Sequence, residues 1–293
     1  MKKTYKKLYY LAAAVSTTFM ITSAMADTDW TGNALDNDWN NPNNWSAGVP
    51  GVNNYNVFID PQANGSIAII GTGETANVGA WSGTWGVAPG GSSPVYPTLY
   101  GPEWGQTLDI YGSLNVGWYM APVGNTSTIN MYAGGSYTAE GIGLGDNWWF
   151  NGGQGVTWNQ YGGTVNIGYL FWGGYLNLYG GTFTINENLG VNDAVGYIGG
   201  DTVNQVTDAN RMINLDGGAL VIAGNATTLV DGWIGRGIIE GNGAVGAISI
   251  DTTSDPGFSI ITAVPEPASI ALFGLGGLAM MLGFRRRRSG AIS

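Results

Sequence analysis

A pattern that recurs five times between residues 108 and 222 constrains this chain more than any other feature of its sequence. Each copy alternates apolar and polar residues, reaches Tyr or Asp, passes through small residues, and then alternates again. Period-two alternation on both sides of the small residues predicts two short β-strands that meet at a corner. The copies LDIYGSLNV, INMYAGGSYTA, WNQYGGTVNI, LNLYGGTFTI and INLDGGALVI begin at Leu108, Ile129, Trp158, Leu176 and Ile213.

The spacing of the copies favours a solenoid. Their starts are 21, 29, 18 and 37 residues apart, which indicates a unit of about twenty residues with insertions of different lengths. Repeats of this size stack as coils around one continuous core, so we predict an all-β fold built as a right-handed parallel β-helix. Glycine pairs between strands also form good type I′ turns, and an antiparallel β-sandwich of hairpins is therefore the alternative.

Charge is segregated along the chain. Residues 27–263 contain 19 of the 20 acidic side chains and only two basic ones, Arg211 and Arg236, which gives this region a formal charge of −17. Nucleic-acid binding is excluded, because it requires Lys and Arg against the phosphates. The chain has neither cysteine nor histidine. It therefore offers no thiolate nucleophile, no imidazole base and no ordinary zinc site, and we expect that it is not an enzyme.

The amino terminus has the three parts of a secretory signal peptide. Four lysines precede the apolar run LAAAVSTTFMITS, and a small-x-small cleavage site follows at Ala24 and Ala26. Residues 1–26 are therefore predicted to engage the general secretion machinery and to be removed, so that the mature protein begins at Asp27. A membrane anchor is the alternative, but the apolar run is short and diluted by Ser and Thr.

The carboxyl terminus has a different three-part organisation. Pro265, Glu266 and Pro267 precede 17 uncharged residues, Ala268 to Phe284, which is at the short end of what spans a bilayer. The arginines at 285–288, Arg285, Arg286, Arg287 and Arg288, are predicted to hold that end in the cytoplasm as a stop signal. The prolines cannot continue a helix, so they predict an extended segment just outside the membrane.

Residues 264–288 resemble the PEP-CTERM sorting signal of Gram-negative bacteria, a segment also named after ice-binding proteins. The resemblance implies processing at Pro265–Pro267 by the membrane protease exosortase, a transient single-pass intermediate in the inner membrane, and delivery to the cell surface or extracellular matrix. It also implies an association with exopolysaccharide and biofilm, as a structural or adhesive protein. A plain single-pass anchor with a proline-rich stalk is the alternative.

The remaining segments are assigned by composition. Trp30, Trp39 and Trp45 offer the apolar area that an end cap needs, and their segment loosely resembles the start of bacterial surface β-solenoid proteins. The predicted organisation is a cap with the first strands at 27–86, a Pro/Gly-rich loop at 87–102, solenoid repeats at 103–252, a linker at 253–263 and the sorting signal at 264–288.

Two ligand hypotheses follow from side chains outside the repeat pattern. Trp148, Trp149 and Trp172 lie in turns, where exposed rings can stack on sugars; this favours a carbohydrate-binding surface module as the alternative function, whereas packing on neighbouring loops is the ordinary role of such rings. Asp27, Asp29 and Asp38 fit part of a calcium-loop spacing, against which stands a solvated, turn-rich terminus. No other cofactor is predicted.

A polysaccharide-degrading enzyme is the third and weakest hypothesis. Paired carboxylates can hydrolyse glycosides, and Asp201 and Asp208 are the nearest candidates in sequence. The β-helix polysaccharide-degrading families carry compact Asp-Asp, Gly-His-Gly or basic-residue signatures, whereas this chain has no histidine and only two interior arginines, Arg211 and Arg236. We therefore assign no catalytic residue.

Overall fold

The computed structural model describes residues 26–59, 67–79, 97–103, 105–123, 126–144, 155–187 and 211–264. Within these residues the chain forms short β-strands, one 3₁₀ turn at Pro42–Asn44 and one helix, α1, at Thr227–Arg236. The strands are β1 Ala26–Asp29, β2 Asn54–Phe58, β3 Ile67–Ile70, β4 Thr75–Val78, β5 Thr98–Glu103, β6 Thr107–Ile110, β7 Ser113–Val116, β8 Tyr119–Val123, β9 Thr128–Met131, β10 Ser136–Leu144, β11 Thr157–Gln160, β12 Thr164–Trp172, β13 Tyr175–Leu178, β14 Thr182–Ile185, β15 Met212–Leu215, β16 Ala219–Ala223, β17 Ile239–Gly241, β18 Ala244–Val245, β19 Ile248–Asp251 and β20 Phe258–Ala263.

The two strands of each repeat belong to different stacks. In the copy that begins at Leu176, β13 pairs in parallel with β11 and β15, whereas β14 pairs in parallel with β12 and β16. The glycines between β13 and β14 therefore turn a corner and do not close a hairpin. The hairpin alternative is wrong here, and the prediction of a mostly β, parallel, coil-stacked fold is confirmed. The handedness of the coil stays a prediction.

Three stacks of parallel strands run along the coils. Face A consists of β4, β7, the first half of β10, the first half of β12, β14 and β16. Face B consists of β2, β5, β8 and the second halves of β10 and β12. Face C consists of β3, β6, β9, β11, β13, β15 and β17. The coil of β6, β7 and β8, for example, contributes one strand to each face.

Inward side chains from successive coils form one hydrophobic core. Leu176, Leu178, Phe183 and Ile185 are fully buried, as their alternation around the corner predicts. The bend between faces A and B is also visible in burial: Ala139 and Ile142 of β10 both point inward, so two successive residues between them face outward. The same bend recurs one coil later in β12.

Both ends of the described stack are covered. At the first coils the rings of Trp30 and Trp39 lie edge-on against Trp45, with centroids 5.0 and 4.7 Å apart, and all three are buried. At the last coils β20 pairs antiparallel with β16 and with β19. Helix α1 buries Val230 and Trp233 against the core.

Three elements differ from the sequence predictions. Helix α1 interrupts an otherwise β fold, and its signals were the apolar pair Val230 and Trp233 and the left-handed Gly237 that ends it. The predicted loop 87–102 overlaps β5, which accommodates Pro102 where its register with β8 shifts. The predicted linker 253–263 contains β20, because Ser259 and Ile261 alternate inward.

In the described residues no helix is long and apolar enough to cross a membrane; the predicted span 268–284 lies outside them.

Candidate functional site

The tryptophan predicted to stack on sugars at residue 172 is part of the core. Trp172 is 2% exposed, because it continues the inward alternation of β12 after Leu170. Its indole N–H donates to the carbonyl of Gly174 at 2.8 Å, and its ring packs edge-on against Trp233 at 5.5 Å. The guanidinium of Arg211 lies 5.3 Å from the ring centroid. A sugar has no access to this ring. Trp148 and Trp149 lie outside the described residues.

The calcium-loop spacing is not realised as a loop. Asp27 and Asp29 belong to strand β1, which pairs in parallel with β2. The residue that collects polar partners is instead Asp36, whose carboxylate accepts the side-chain amides of Asn41 and Asn44 at 2.6 Å each. These hydrogen bonds, that from Asn41 foremost, lower the pKa of Asp36. Over the described ranges no three His, Cys, Asp or Glu side chains are placed to hold a metal ion.

The tyrosines of the repeat pattern form a stacked column at the corner between faces C and A. Ring centroids are 4.1 Å apart for Tyr111 and Tyr132, 5.5 Å for Tyr132 and Tyr161, and 5.2 Å for Tyr161 and Tyr179. The planes are within 23° of parallel. We call these four residues the corner tyrosines. The sequence pattern contained them, but only coil stacking shows that they touch.

The first two rings of the column are less exposed than the last two. Tyr111 and Tyr132 are half-buried, whereas Tyr161 and Tyr179 are 49% and 39% exposed. Burial, followed by a hydrogen bond with Tyr111, raises the pKa of the Tyr132 phenol above its usual range. Burial also raises the pKa of Tyr179, with smaller effects from Tyr161 and Asp216. The phenols of Tyr132 and Tyr179 are therefore neutral hydrogen-bonding groups at neutral pH.

The column ends because the fifth repeat has Asp216 where the others have Tyr. Asp216 is in register with Tyr179, since Leu178 pairs with Leu215 and the backbone N–H of Asp216 donates to Leu178 at 2.9 Å. One coil further, Asn242 donates its backbone N–H to Leu215 at 2.9 Å. Asp216, Gly217 and Asn242 are all exposed. The last ring of the column thus faces a polar, open corner.

A ladder of side-chain amides runs along face C beside the column. Asn130 donates to Asp109 at 2.8 Å, Asn159 donates to Asn130 at 3.0 Å, and Asn177 donates to Asn159 at 2.9 Å. We call these four residues the amide ladder. Its signal in the sequence was the Asp or Asn at the second position of every copy. Each amide donates to the coil before it, and the ladder starts on a carboxylate that can only accept.

The outward side of face B carries a second aromatic cluster, separate from the core. Tyr119 and Tyr169 are two coils apart, yet their centroids are only 6.0 Å apart, because Gly141 lies between them. A Cβ on Gly141 would lie 2.3 Å from the Tyr169 ring. Phe171 packs edge-on against both tyrosines. Tyr119 and Tyr169 are buried, whereas Phe171 is half-buried.

Two carboxylates flank a glycine at the bend between faces A and B. Glu140 precedes the bend in β10, Gly168 is its counterpart one coil on, and the backbone N–H of Glu187 donates to Gly168 at 2.9 Å. Burial, and after it the Glu140 carboxylate, raises the pKa of Glu187. Repulsion between the Glu140 and Glu187 carboxylates therefore destabilises the folded state when both are charged.

Of the predicted targeting residues, only Ala26 is described: it starts β1 and pairs with Asn54. Ala24, Pro265, Glu266, Pro267 and the arginines at 285–288 lie outside the described residues, as do Asp201 and Asp208. Comparison with known families decides the identity of the carboxyl-terminal segment. Residues 263–288 match the model of the PEP-CTERM protein-sorting motif. The chain carries a PEP-CTERM sorting motif. No curated protein and no solved structure matches the chain.

The PEP-CTERM motif implies an exported protein that is sorted by exosortase and is anchored in the membrane during transit. It begins directly at the folded body. The last residue before Pro265, Val264, donates its backbone N–H to Ala247 at 2.8 Å, and its carbonyl accepts the side-chain amide of Asn242 at 2.9 Å. The residues before it, Phe258 to Ala263, form β20. The PEP-CTERM motif therefore follows a clamped strand, where a linker was predicted.

Proposed function

We propose that this chain is a structural or adhesive protein of the cell surface or extracellular matrix, associated with exopolysaccharide or biofilm. The observation that carries the proposal is the PEP-CTERM motif at 263–288, attached to an acidic, strand-built body. The route would use the general secretion machinery and a transient single-pass intermediate in the inner membrane. Residues 268–284 would span the bilayer, and the arginines at 285–288 would stay in the cytoplasm.

The construction of the body supports a mechanical role. Stacked coils are held by backbone pairing on three faces and by the corner tyrosines and the amide ladder. Cross-strand aromatic and amide pairs of this kind each add a few tenths of a kcal/mol to about 1 kcal/mol. No reaction is assigned to the chain: turnover of any polysaccharide by the purified protein would overturn this part of the proposal.

The sorting and matrix roles are tested in the producing bacterium. A deletion strain is complemented with the wild-type chain, with Glu266→Ala, or with Asp255→Ala as the control, since Asp255 is an exposed carboxylate in the β19–β20 turn. We expect Glu266→Ala to remain unprocessed in the membrane, and cell aggregates to lose cohesion as in the deletion strain. Normal processing of Glu266→Ala would refute the sorting role, and unchanged cohesion in the deletion strain would refute the matrix role.

A carbohydrate-binding module is the second candidate function. Its support is no longer Trp172, which is buried, but the exposed rings at the end of the corner tyrosines. Aromatic faces with neighbouring polar groups are a common way to bind sugars from water. Binding of a surface polysaccharide by the purified chain, measured by pull-down, is the test; its absence would leave the structural role alone.

A further inference from the structure

We propose that the ring of Tyr179 and the carboxylate of Asp216, at the end of the corner tyrosines, form a stacking site for an uncharged sugar ring. The proposal deepens the carbohydrate-binding candidate above and rests on it. It assigns the site to a corner between faces C and A and does not use Trp172, which is buried.

One face of the Tyr179 ring is covered by another ring, and the other face is on the side of Asp216 in the next coil. Tyr161 stacks on one face at 5.2 Å with planes 12° apart. On the other side the next coil supplies Asp216, in register, where every earlier copy supplies a tyrosine. An aspartate is much smaller than a phenol ring. The replacement therefore removes one ring from the column above Tyr179.

The level of Asp216 in the column has the thickness of one stacked ring. Adjacent coils are separated by about 4.8 Å, the spacing of paired strands. The corner tyrosines use that spacing to stack at 4.1 to 5.5 Å. A flat ligand at the level of Asp216 would continue the column between Tyr179 and the following corner residue, Asn242.

Tyr179 is held in place without a ligand. Its ring is fixed by the column beneath it, and the turn after it is fixed by Gly181, which lies against the carbonyl of Gly163 in the coil below. A pre-ordered ring loses little side-chain entropy on binding. Isolated exposed tyrosines, such as Tyr175 in the same coil, lack such a column among the described residues.

The polar surroundings select the kind of ligand. A sugar ring presents C–H groups to an aromatic face and hydroxyl donors at its edge, and the exposed carboxylate of Asp216 accepts such donors. Acidic sugars are disfavoured, because residues 27–263 carry a formal charge of −17. The site thus favours a neutral glycan. A cationic peptide is the competing ligand, since it would also be attracted to an aromatic face and a carboxylate.

The test measures binding of cellohexaose, laminarihexaose and mannohexaose to the full chain in a sugar-free detergent, with polygalacturonate and trilysine as comparisons. We expect at least one neutral hexasaccharide to bind, and Tyr179→Ala to weaken it on the order of tenfold. Asp216→Tyr should abolish binding by filling the fifth position of the column, while keeping or raising the melting temperature. Tyr175→Ala, a tyrosine of similar exposure in the same coil, is the matched control and should bind like the wild type.

Each outcome is decisive. Lack of binding of all three hexasaccharides, equal loss in Tyr175→Ala, or undiminished binding in Asp216→Tyr would overturn the site. Binding of trilysine alone would show a cation site in its place. If Tyr179→Ala lowers the melting temperature, its binding loss is not interpreted, and the binding of Asp216→Tyr tests the site, because that variant adds a ring and removes none. The measurement uses purified protein and does not depend on sorting. A negative result therefore does not affect the sorting and matrix roles, which the Glu266→Ala experiment tests separately.

Discussion

The side-chain amide of Asn242 donates a hydrogen bond of 2.9 Å to the carbonyl of Val264, one residue before the first proline of the PEP-CTERM motif. Together with the backbone bond from Val264 to Ala247, it fixes the point at which the chain leaves the body. A processing enzyme that acts on the folded protein must therefore reach a motif held at the end of β20. Folding of the last coil and access to the motif are linked by this geometry.

Insertion of Gly-Ser-Gly-Ser between Val264 and Pro265 should speed processing several-fold, because it moves the motif away from the clamped strand. The measurement is a pulse-chase that follows the fraction of processed chain. The same four residues inserted between Asp255 and Pro256, in the exposed β19–β20 turn, serve as the control and should leave the rate unchanged. An equal rate for both insertions would mean that the motif is processed before β20 forms.

Gly181→Ala should destabilise the body by about 3 kcal/mol. Gly181 has a φ of +73°, and a Cβ there would lie 2.2 Å from the carbonyl oxygen of Gly163, so the side chain meets both backbone strain and a fixed atom of the preceding coil. Denaturant unfolding followed by tryptophan fluorescence measures the loss. Gly235→Ala is the control: it lies in α1 with no atom within 4 Å of the added Cβ and should stabilise by about 0.5–1 kcal/mol.

Asn159→Asp should destabilise the body at pH 7 by about 2 kcal/mol. Asn159 donates to Asn130 and accepts from Asn177, and a carboxylate can only accept. Only the protonated acid can donate to Asn130, so the folded state raises the pKa of the new carboxyl. Part of the stability should therefore return below about pH 3.9, the ordinary Asp value, and disappear as the pH rises through the folded-state pKa.

Melting temperatures of Asn159→Asp between pH 3 and 7, relative to the wild type, measure this recovery. Asn53→Asp introduces the same charge at an exposed turn and is the control. A deficit that is independent of pH would show that the amide ladder contributes packing alone.

Glu187→Gln should stabilise the body at pH 7 and lose its advantage in acid. Burial and the Glu140 carboxylate raise the pKa of Glu187, so its charged form is disfavoured in the folded state. Below the unfolded-state pKa of 4.5, Glu187 is protonated in both states and does not lower the free energy of unfolding of the wild type. As the pH rises through the raised folded-state pKa, the free energy of unfolding falls. In thermal melts, the melting temperature of Glu187→Gln should exceed that of the wild type at pH 7 but not at pH 4. An equal increase in melting temperature at both pH values would contradict this account.

The repeat unit and its corners were readable from local sequence. Leu176, Leu178, Phe183 and Ile185 alternate with outward residues on either side of two glycines. That alternation determines which side chains are buried, whichever strand is the pairing partner. The PEP-CTERM segment was equally readable, because a charged end, an apolar run and a proline motif act through composition and order. Helix α1 was missed, since ten residues with two inward side chains give a weak periodic signal inside a glycine-rich region.

What the sequence alone determined is the period of the chain, the side of each strand that faces the core, and the segregation of basic residues to the two ends, which leaves an acidic body between them. Only the tertiary structure decided that the corner glycines join different stacks, that Trp172 is buried against Trp233, and that Tyr179 stacks on Tyr161 with Asp216 next in register. The physical reason is that the alternation of side chains is set within one strand, whereas the neighbour of each strand is set by residues 18 to 37 positions away. Register between coils, and therefore every column and ladder on the surface, exists only after the coils have stacked.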